Sequence, residues 1–183
     1  MLIAYKNLKI RNAELEDAEI LCDWWNNGEV MAHAGYPNGL DTNTVEIKKT
    51  LMADSDDSRR LIIEIDQVPV GEMSYYNQGN AVAKMGIKIC DFTKQGNGYG
   101  TAFLKMLIAS LFRDFGYTKI ILDTNLDNVR AQHVYEKIGF RKVKVNDGAF
   151  KDQLGEWQSS VDYELLLADF DVSWMEEAAQ FGD

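Results

Sequence analysis

Three glycines at alternate positions, Gly96, Gly98 and Gly100, stand between an apolar, β-leaning run that ends near Cys90 and the long apolar segment from Thr101 to Phe115. The order reads as strand, loop, helix. Glycine has no Cβ, so these positions allow positive φ and let a ligand lie against the main chain. The unpaired N–H groups of the first helical turn, over residues 97 to 102, would point at that ligand with the positive end of the helix dipole behind them. Such a turn is a site for phosphate. The spacing excludes two common phosphate loops: no lysine follows Gly100 as in G-x-x-x-x-G-K-[ST], and the third glycine of G-x-G-x-x-G is absent.

What stands here is Gln95-x-x-Gly98-x-Gly100, which resembles the [RQ]-x-x-G-x-[GA] pyrophosphate-binding signature of the GNAT family of N-acetyltransferases. Downstream, the stretch from Asn125 to Phe140 resembles that family's second cofactor segment, with its asparagine (Asn128), alanine (Ala131), tyrosine (Tyr135) and the ending Gly139-Phe140. Two motifs in this order, about one strand and one helix apart, are far more specific than either alone. The resemblance covers residues 60 to 145 well and the first third of the chain by general layout.

The resemblance implies acetyl-CoA as acetyl donor. It implies that Gln95 and the backbone of Gly96, Asn97, Gly98, Tyr99, Gly100 and Thr101 hold the pyrophosphate. The edge of the strand Ile87, Lys88, Ile89, Cys90 would pair with the pantetheine amides and offer an N–H to the thioester oxygen. Asn128 would contact the cofactor arm while capping a helix, and Arg130 and Lys137 would either meet the phosphates or form a solvated face. Tyr135 matches the family tyrosine that protonates the departing thiolate, a phenol with an ordinary pKa of about 10. The family usually has arginine where Gln95 stands, and Lys94 restores part of that charge.

An alkylamine acceptor is protonated at neutral pH, so a carboxylate or a water chain must take a proton. Glu72, on the strand before the cofactor strand, is the first candidate, with Glu29 and Asp91 behind it. The turn-rich segment from Asn26 to Leu40 is the candidate substrate wall. Trp24, on the helix before it, and Glu29 and Tyr36, within it, are the expected substrate contacts, whereas His33 reads as a surface residue. The stretch Trp24 to Val30 is similar to the branch with ribosomal-protein, polyamine and aminoglycoside acetyltransferases, which implies a primary amine on a small molecule or peptide. The rival is an acyl-CoA-binding sensor of the same fold. There is no G-x-S-x-G elbow, Cys90 reads as a buried structural thiol, and no cluster has metal-ligand spacing.

The elements that must position these residues can be read in order. Leu8–Ala13 is a strand and Glu14–Trp25 a helix, in which one of Trp24 and Trp25 packs inward. Asp41 caps a second helix over Thr42–Met52. Arg60–Ile65 and Val68–Tyr76 form a hairpin about Asp66-Gln67, and a third antiparallel strand ends at the glycine loop. Thr101–Phe115 is a buried helix, Lys119–Asp123 a strand covered on both faces, and the Asn128 segment a further helix. Phe140–Val145 and Ser160–Leu167 close the fold, joined by a polar loop with Trp157, and the tail from Ala168 to Asp183 is a candidate docking helix. The class is α+β, a mixed, mostly antiparallel sheet with helices on both faces. The resemblance implies that two neighbouring strands splay apart to admit acetyl-CoA.

With 183 residues, 46% of them hydrophobic, the chain is most simply one domain over 1–183 with a real core. A net charge of -10 argues against nucleic acid or anionic membrane as partner and suits a cationic amine. Cys22 and Cys90 alone, the absence of a signal-like start, and no run near the ~18 apolar residues that span a bilayer point to the cytoplasm. Homodimerisation through the C-terminal strands or tail follows by analogy.

Overall fold

The computed structural model describes residues 1–171 and Ser173. The alternating Leu8–Asn12 segment is a strand, β2, and it pairs in a tight hairpin with β1 (Leu2–Tyr5), a strand beyond those expected. β3 (Ser58–Ile65) and β4 (Val68–Asn77) form the expected hairpin. Its turn residues Asp66 and Gln67 both have positive φ, 52° and 66°, the geometry whose twist matches that of paired strands. β5 (Val82–Ile89) adds to β4 and leads into the glycine loop. The remaining strands are β6 (Lys119–Asn125), β7 (Arg141–Lys151) and β8 (Trp157–Leu166). The sheet order is β1-β2-β3-β4-β5-β6-β8-β7, antiparallel at every step except β5–β6.

That exception makes the opening. β5 and β6 pair in parallel only from Val82 to Lys84 against Lys119 to Ile121; beyond this the strands run on, to Ile89 and Asn125, without pairing.

Two hydrophobic layers hold the sheet. α4 (Tyr99–Arg113) and α5 (Val129–Ile138) lie on one face, where Phe103, Leu107 and Ile108 pack with Ile63, Met73 and Ile120. Each fully buried side chain of this kind contributes roughly 1.5–3 kcal/mol. α1 (Ala18–Asn26) and α3 (Thr44–Met52) cover the opposite face, where Leu21, Trp25 and Ile47 meet Ile62. Ile62 and Ile63 are sequence neighbours that serve opposite layers, because strand side chains alternate.

Several expectations are corrected. The helix after Asp41 starts later, at Thr44, and its cap is Asn43, whose side chain accepts the Val45 and Glu46 N–H groups; Asp41 instead takes a left-handed φ of 51°. The first helix opens as a 3-10 turn over Leu15–Asp17 before α1. The segment 26–40 contains helical turns of its own, α2 (Gly28–Met31) and a 3-10 turn at Ala32–Ala34. β6 is not covered evenly on both faces: Ile120, Leu122 and Asn125 are buried, while Asp123 pairs with Lys84 and stays exposed. Trp157 begins β8 rather than lying in a loop, since β7 and β8 are longer than their apolar cores. The expected tail helix lies, beyond Asp171 and apart from Ser173, outside the described residues.

Gly71 shows how closely β4 and β5 approach: a Cβ there would stand 2.1 Å from the Lys88 carbonyl oxygen. Gly71→Ala is therefore expected to destabilise the fold by about 1–3 kcal/mol, the range for forced overpacking. Chemical denaturation checks this, and an unchanged midpoint would show that the strands part without cost.

Candidate active site

The glycine loop is open as its sequence predicts. Gly96 and Gly98 have φ of 79° and 80°, and a Cβ on Gly96, Gly98 or Gly100 would meet nothing within 4 Å. The N–H groups from Gly96 to Thr101 carry no hydrogen bond to any described acceptor; the first one paired in α4 is that of Ala102, to the Gly98 carbonyl. Gly98 supplies no side-chain cap. A row of donors at a helix N-terminus can hold an anion. Gln95 does not join them, because its Nε2 donates to the Ile89 carbonyl at 2.8 Å and braces the loop against β5.

Where β5 leaves β6, its backbone faces two ways. The Cys90 N–H donates to Val70 of β4 at 2.8 Å. By alternation, the N–H groups of Ile87 and Ile89 face the gap, while those of Lys88 and Cys90 face β4. Half of the expected strand edge is thus available. The Cys90 side chain is buried, and burial, with Glu72 adding to it, pushes its thiol up to about 12.

A cavity of about 790 Å³ occupies the opening. On the α4–α5 side it is lined by Gln95, Gly100, Asn128, Arg130 and Tyr135. Asn128 caps α5 through the Ala131 N–H at 3.2 Å and still borders the cavity. Lys137 is exposed on α5 and does not line it. Tyr135 is 7% exposed, packed edge to face on Tyr163 and tilted against Phe140. Burial, helped by the charge of Asp123, pushes its phenol up to about 12. It therefore stays protonated at neutral pH.

Across the sheet the wall is built around Glu72, which is 1% exposed. Its carboxylate accepts from Arg60 Nη1 at 2.9 Å, Lys88 Nζ at 3.1 Å and Trp25 Nε1 at 3.0 Å. The Arg60 guanidinium lies over the Trp25 ring, 4.9 Å from its centroid. Burial alone would raise the Glu72 pKa, but Arg60 and Lys88 outweigh it and hold the carboxylate below its usual range. Glu72 sits in the cavity as expected, yet three donors already hold its carboxylate and a proton there would break two ion pairs. Its geometry suits positioning better than proton transfer.

The outer wall combines distant segments. Glu29 and His33, of α2 and the turn after it, line the cavity with Phe150 of β7. Gly35, at φ 92°, lets the Phe150 ring come close, since a Cβ would stand 2.8 Å from it. Gln153 straps the β7–β8 connection to the same loop: its N–H donates to the Gly35 carbonyl, its Nε2 to the Gly39 carbonyl, and its Oε1 accepts the Asn38 N–H, at 2.8, 2.9 and 2.9 Å.

The other expected contacts lie elsewhere. Trp24 packs against the cluster of α1 and α3, Tyr36 is exposed beside the loop, and neither borders the cavity. Asp91 also lies outside it, accepting from the N–H and hydroxyl of Thr93. Arg60, the Lys88 side chain, Trp25 and Phe150 are the site features that the motifs did not announce. Among the described residues no group of three or more His, Cys, Asp and Glu is placed to hold a metal ion, and no helix is long and apolar enough to cross a membrane.

A sheet parted at the parallel joint between β5 and β6, with a donor-rich helix start on one side of the opening, is the architecture of an acetyltransferase domain. The profile of the acetyltransferase (GNAT) domain matches residues 7–141, and the chain belongs to that family. Acetyl-CoA is the acetyl donor of the family. Among solved structures, the chain is similar to a spermidine N-acetyltransferase from Vibrio cholerae in complex with CoA and spermine, with 22% identity, TM-score 0.78, and coverage of 89% of this chain and 97% of that one. It is also similar to RimL, a ribosomal α-N-protein acetyltransferase in complex with CoA, at 17% identity, TM-score 0.81, 91% and 98%. A probable acetyltransferase matches at 23% identity, TM-score 0.78, 93% and 99%. Comparison with curated protein sequences finds no match.

Proposed function

We propose that this chain transfers an acetyl group from acetyl-CoA directly to a primary amine on a small molecule or peptide. The observation that carries the reading is the row of unpaired N–H groups from Gly96 to Thr101, set beside the gap between β5 and β6. Those donors fit a pyrophosphate, with Arg130 on the cavity's edge adding charge. The free N–H groups of Ile87 and Ile89 fit an amide arm laid along β5 as an extra strand.

Bound acetyl-CoA would supply an activated thioester and a thiolate leaving group. The chain's residues then divide the work. An N–H from Ile87 or Ile89 polarises the thioester oxygen from a fixed position. Tyr135, protonated and shielded, gives its proton to the departing sulfur. One of Glu29 and His33, which line the acceptor side and have no side-chain partner among the described residues, takes the amine proton that Glu72 cannot. The Glu72 cluster holds the wall rigid between β3, β4, β5 and α1.

Thermal melting with acetyl-CoA, CoA, ATP and NAD tests the donor. At a hundredfold excess over Kd a native-state ligand stabilises by about 2.7 kcal/mol, which for a chain of this size raises Tm by roughly 5–11 °C. Acetyl-CoA and CoA are expected to give that shift and ATP and NAD a much smaller one. Equal shifts with all four would remove the reading.

A further inference from the structure

The acceptor side of the cavity carries more positive charge than its carboxylate uses. Glu72 balances one cation, yet two converge on it, Arg60 and Lys88. Of the five guanidinium hydrogens of Arg60, one is given to Glu72, and the described residues offer the others no further acceptor. Lys88 Nζ likewise donates only to Glu72 among them. Their side chains are 17% and 32% exposed, and both residues line the cavity.

Neighbouring carboxylates do not absorb the excess. Asp54 feels the charge of Arg60 but accepts only its main-chain N–H and makes no ion pair with the guanidinium. Asp123 is bound to Lys84 at 2.5 Å. Glu29 is exposed at the mouth and pairs with neither cation. The net charge of -10 is screened over about 8 Å at physiological salt, so the local pair decides what binds beside it.

Building on the amine-acceptor reading above, we infer that the acceptor carries a carboxylate a few bonds from its amine, held by the unspent donors of Arg60 and Lys88. An α-amino acid and a peptide with an acidic N-terminal residue share this chemistry. Lys88 sits between Ile87 and Ile89, whose N–H groups face the gap, so a carboxylate on its ammonium leaves a nearby amine within reach of the thioester. The guanidinium, fixed over Trp25, offers the planar fork that fits a carboxylate.

The test compares acids with their decarboxylated counterparts, phenylalanine with phenethylamine and lysine with cadaverine. A second arm compares short peptides that begin with aspartate and with asparagine. Binding is read by thermal melting and transfer by CoA release. The carboxylate-bearing member of a pair is expected to bind about tenfold or more tightly, the worth of one hydrogen bond to a charged group; the arm with the larger preference names the source. Lys88→Gln should abolish most of that preference while the acetyl-CoA shift persists, which also reports an intact fold. Glu72→Gln, which frees both cations, should strengthen it. Equal or tighter binding of the decarboxylated amines, or a preference that survives Lys88→Gln, would overturn the inference. Failure of transfer to every amine would overturn the transferase reading alone, because the preference is read from melting.

Discussion

Replacing Tyr135 by phenylalanine is expected to lower kcat for acetyl transfer by about 10²–10⁴-fold, the usual worth of a positioned proton donor, with acetyl-CoA affinity nearly unchanged. The change removes one oxygen from a ring held by Tyr163 and Phe140, so the packing around it survives. No described residue hydrogen-bonds to the Tyr135 hydroxyl, which leaves that group for the cavity it borders. Single-turnover kinetics with acetyl-CoA, alongside a cofactor titration, separates the proton donor from a packing aromatic. A variant as fast as the parent would put a solvent proton in place of the phenol, whereas acetyl-CoA binding with no transfer by the parent would favour the rival acyl-CoA sensor.

The second large effect is on the fold. Glu72→Ala leaves Arg60 and Lys88 facing each other and strands the Trp25 indole N–H. Removing one partner of a buried ion pair costs about 3–5 kcal/mol, which for a chain of this length lowers Tm by roughly 6–20 °C. The pH dependence follows from the same contacts. The Glu72 carboxyl titrates lower in the folded chain than in the unfolded one, because Arg60 and Lys88 overcome its burial. Its contribution to stability is complete above the unfolded pKa of about 4.3 and is lost as pH falls through the folded value. The Tm gap between the parent and Glu72→Gln should narrow below about pH 4.3. A constant gap down to pH 3 would mean that Glu72 is not the titrating group.

Much of this architecture is legible in the residues. The Gly96, Gly98, Gly100 turn, the Asp66-Gln67 hairpin and the Asn128 cap are local signals, since each depends on one or two φ values or one side-chain hydrogen bond. The charged cluster is not local. Counting from the hairpin turn would pair Glu72 with Leu61, a core residue on the other face. A bulge between Ile63 and Glu64 shifts the register by one and pairs Glu72 with Ile62, on the side of α1. One extra residue in a strand moves a side chain from one layer to the other, and no periodicity announces it. Trp24 and Tyr36 have the chemistry of substrate contacts, but the turn of α1 sends Trp25 inward to Glu72 instead. Phe150 reaches the cavity from β7, where Gly35 leaves room for its ring and Gln153 ties the adjoining connection to the loop around residues 35–39.

That strap has an evolutionary consequence. The side proposed to hold the donor is encoded in one contiguous stretch, from β5 through α5, whereas the proposed acceptor wall joins residues 29–39 to residues 150–153, more than a hundred positions apart. Substitutions in those two short loops can reshape what enters the acceptor side without disturbing a single donor of the glycine turn. A lineage built on this plan can diversify its substrates while its cofactor grip is inherited intact.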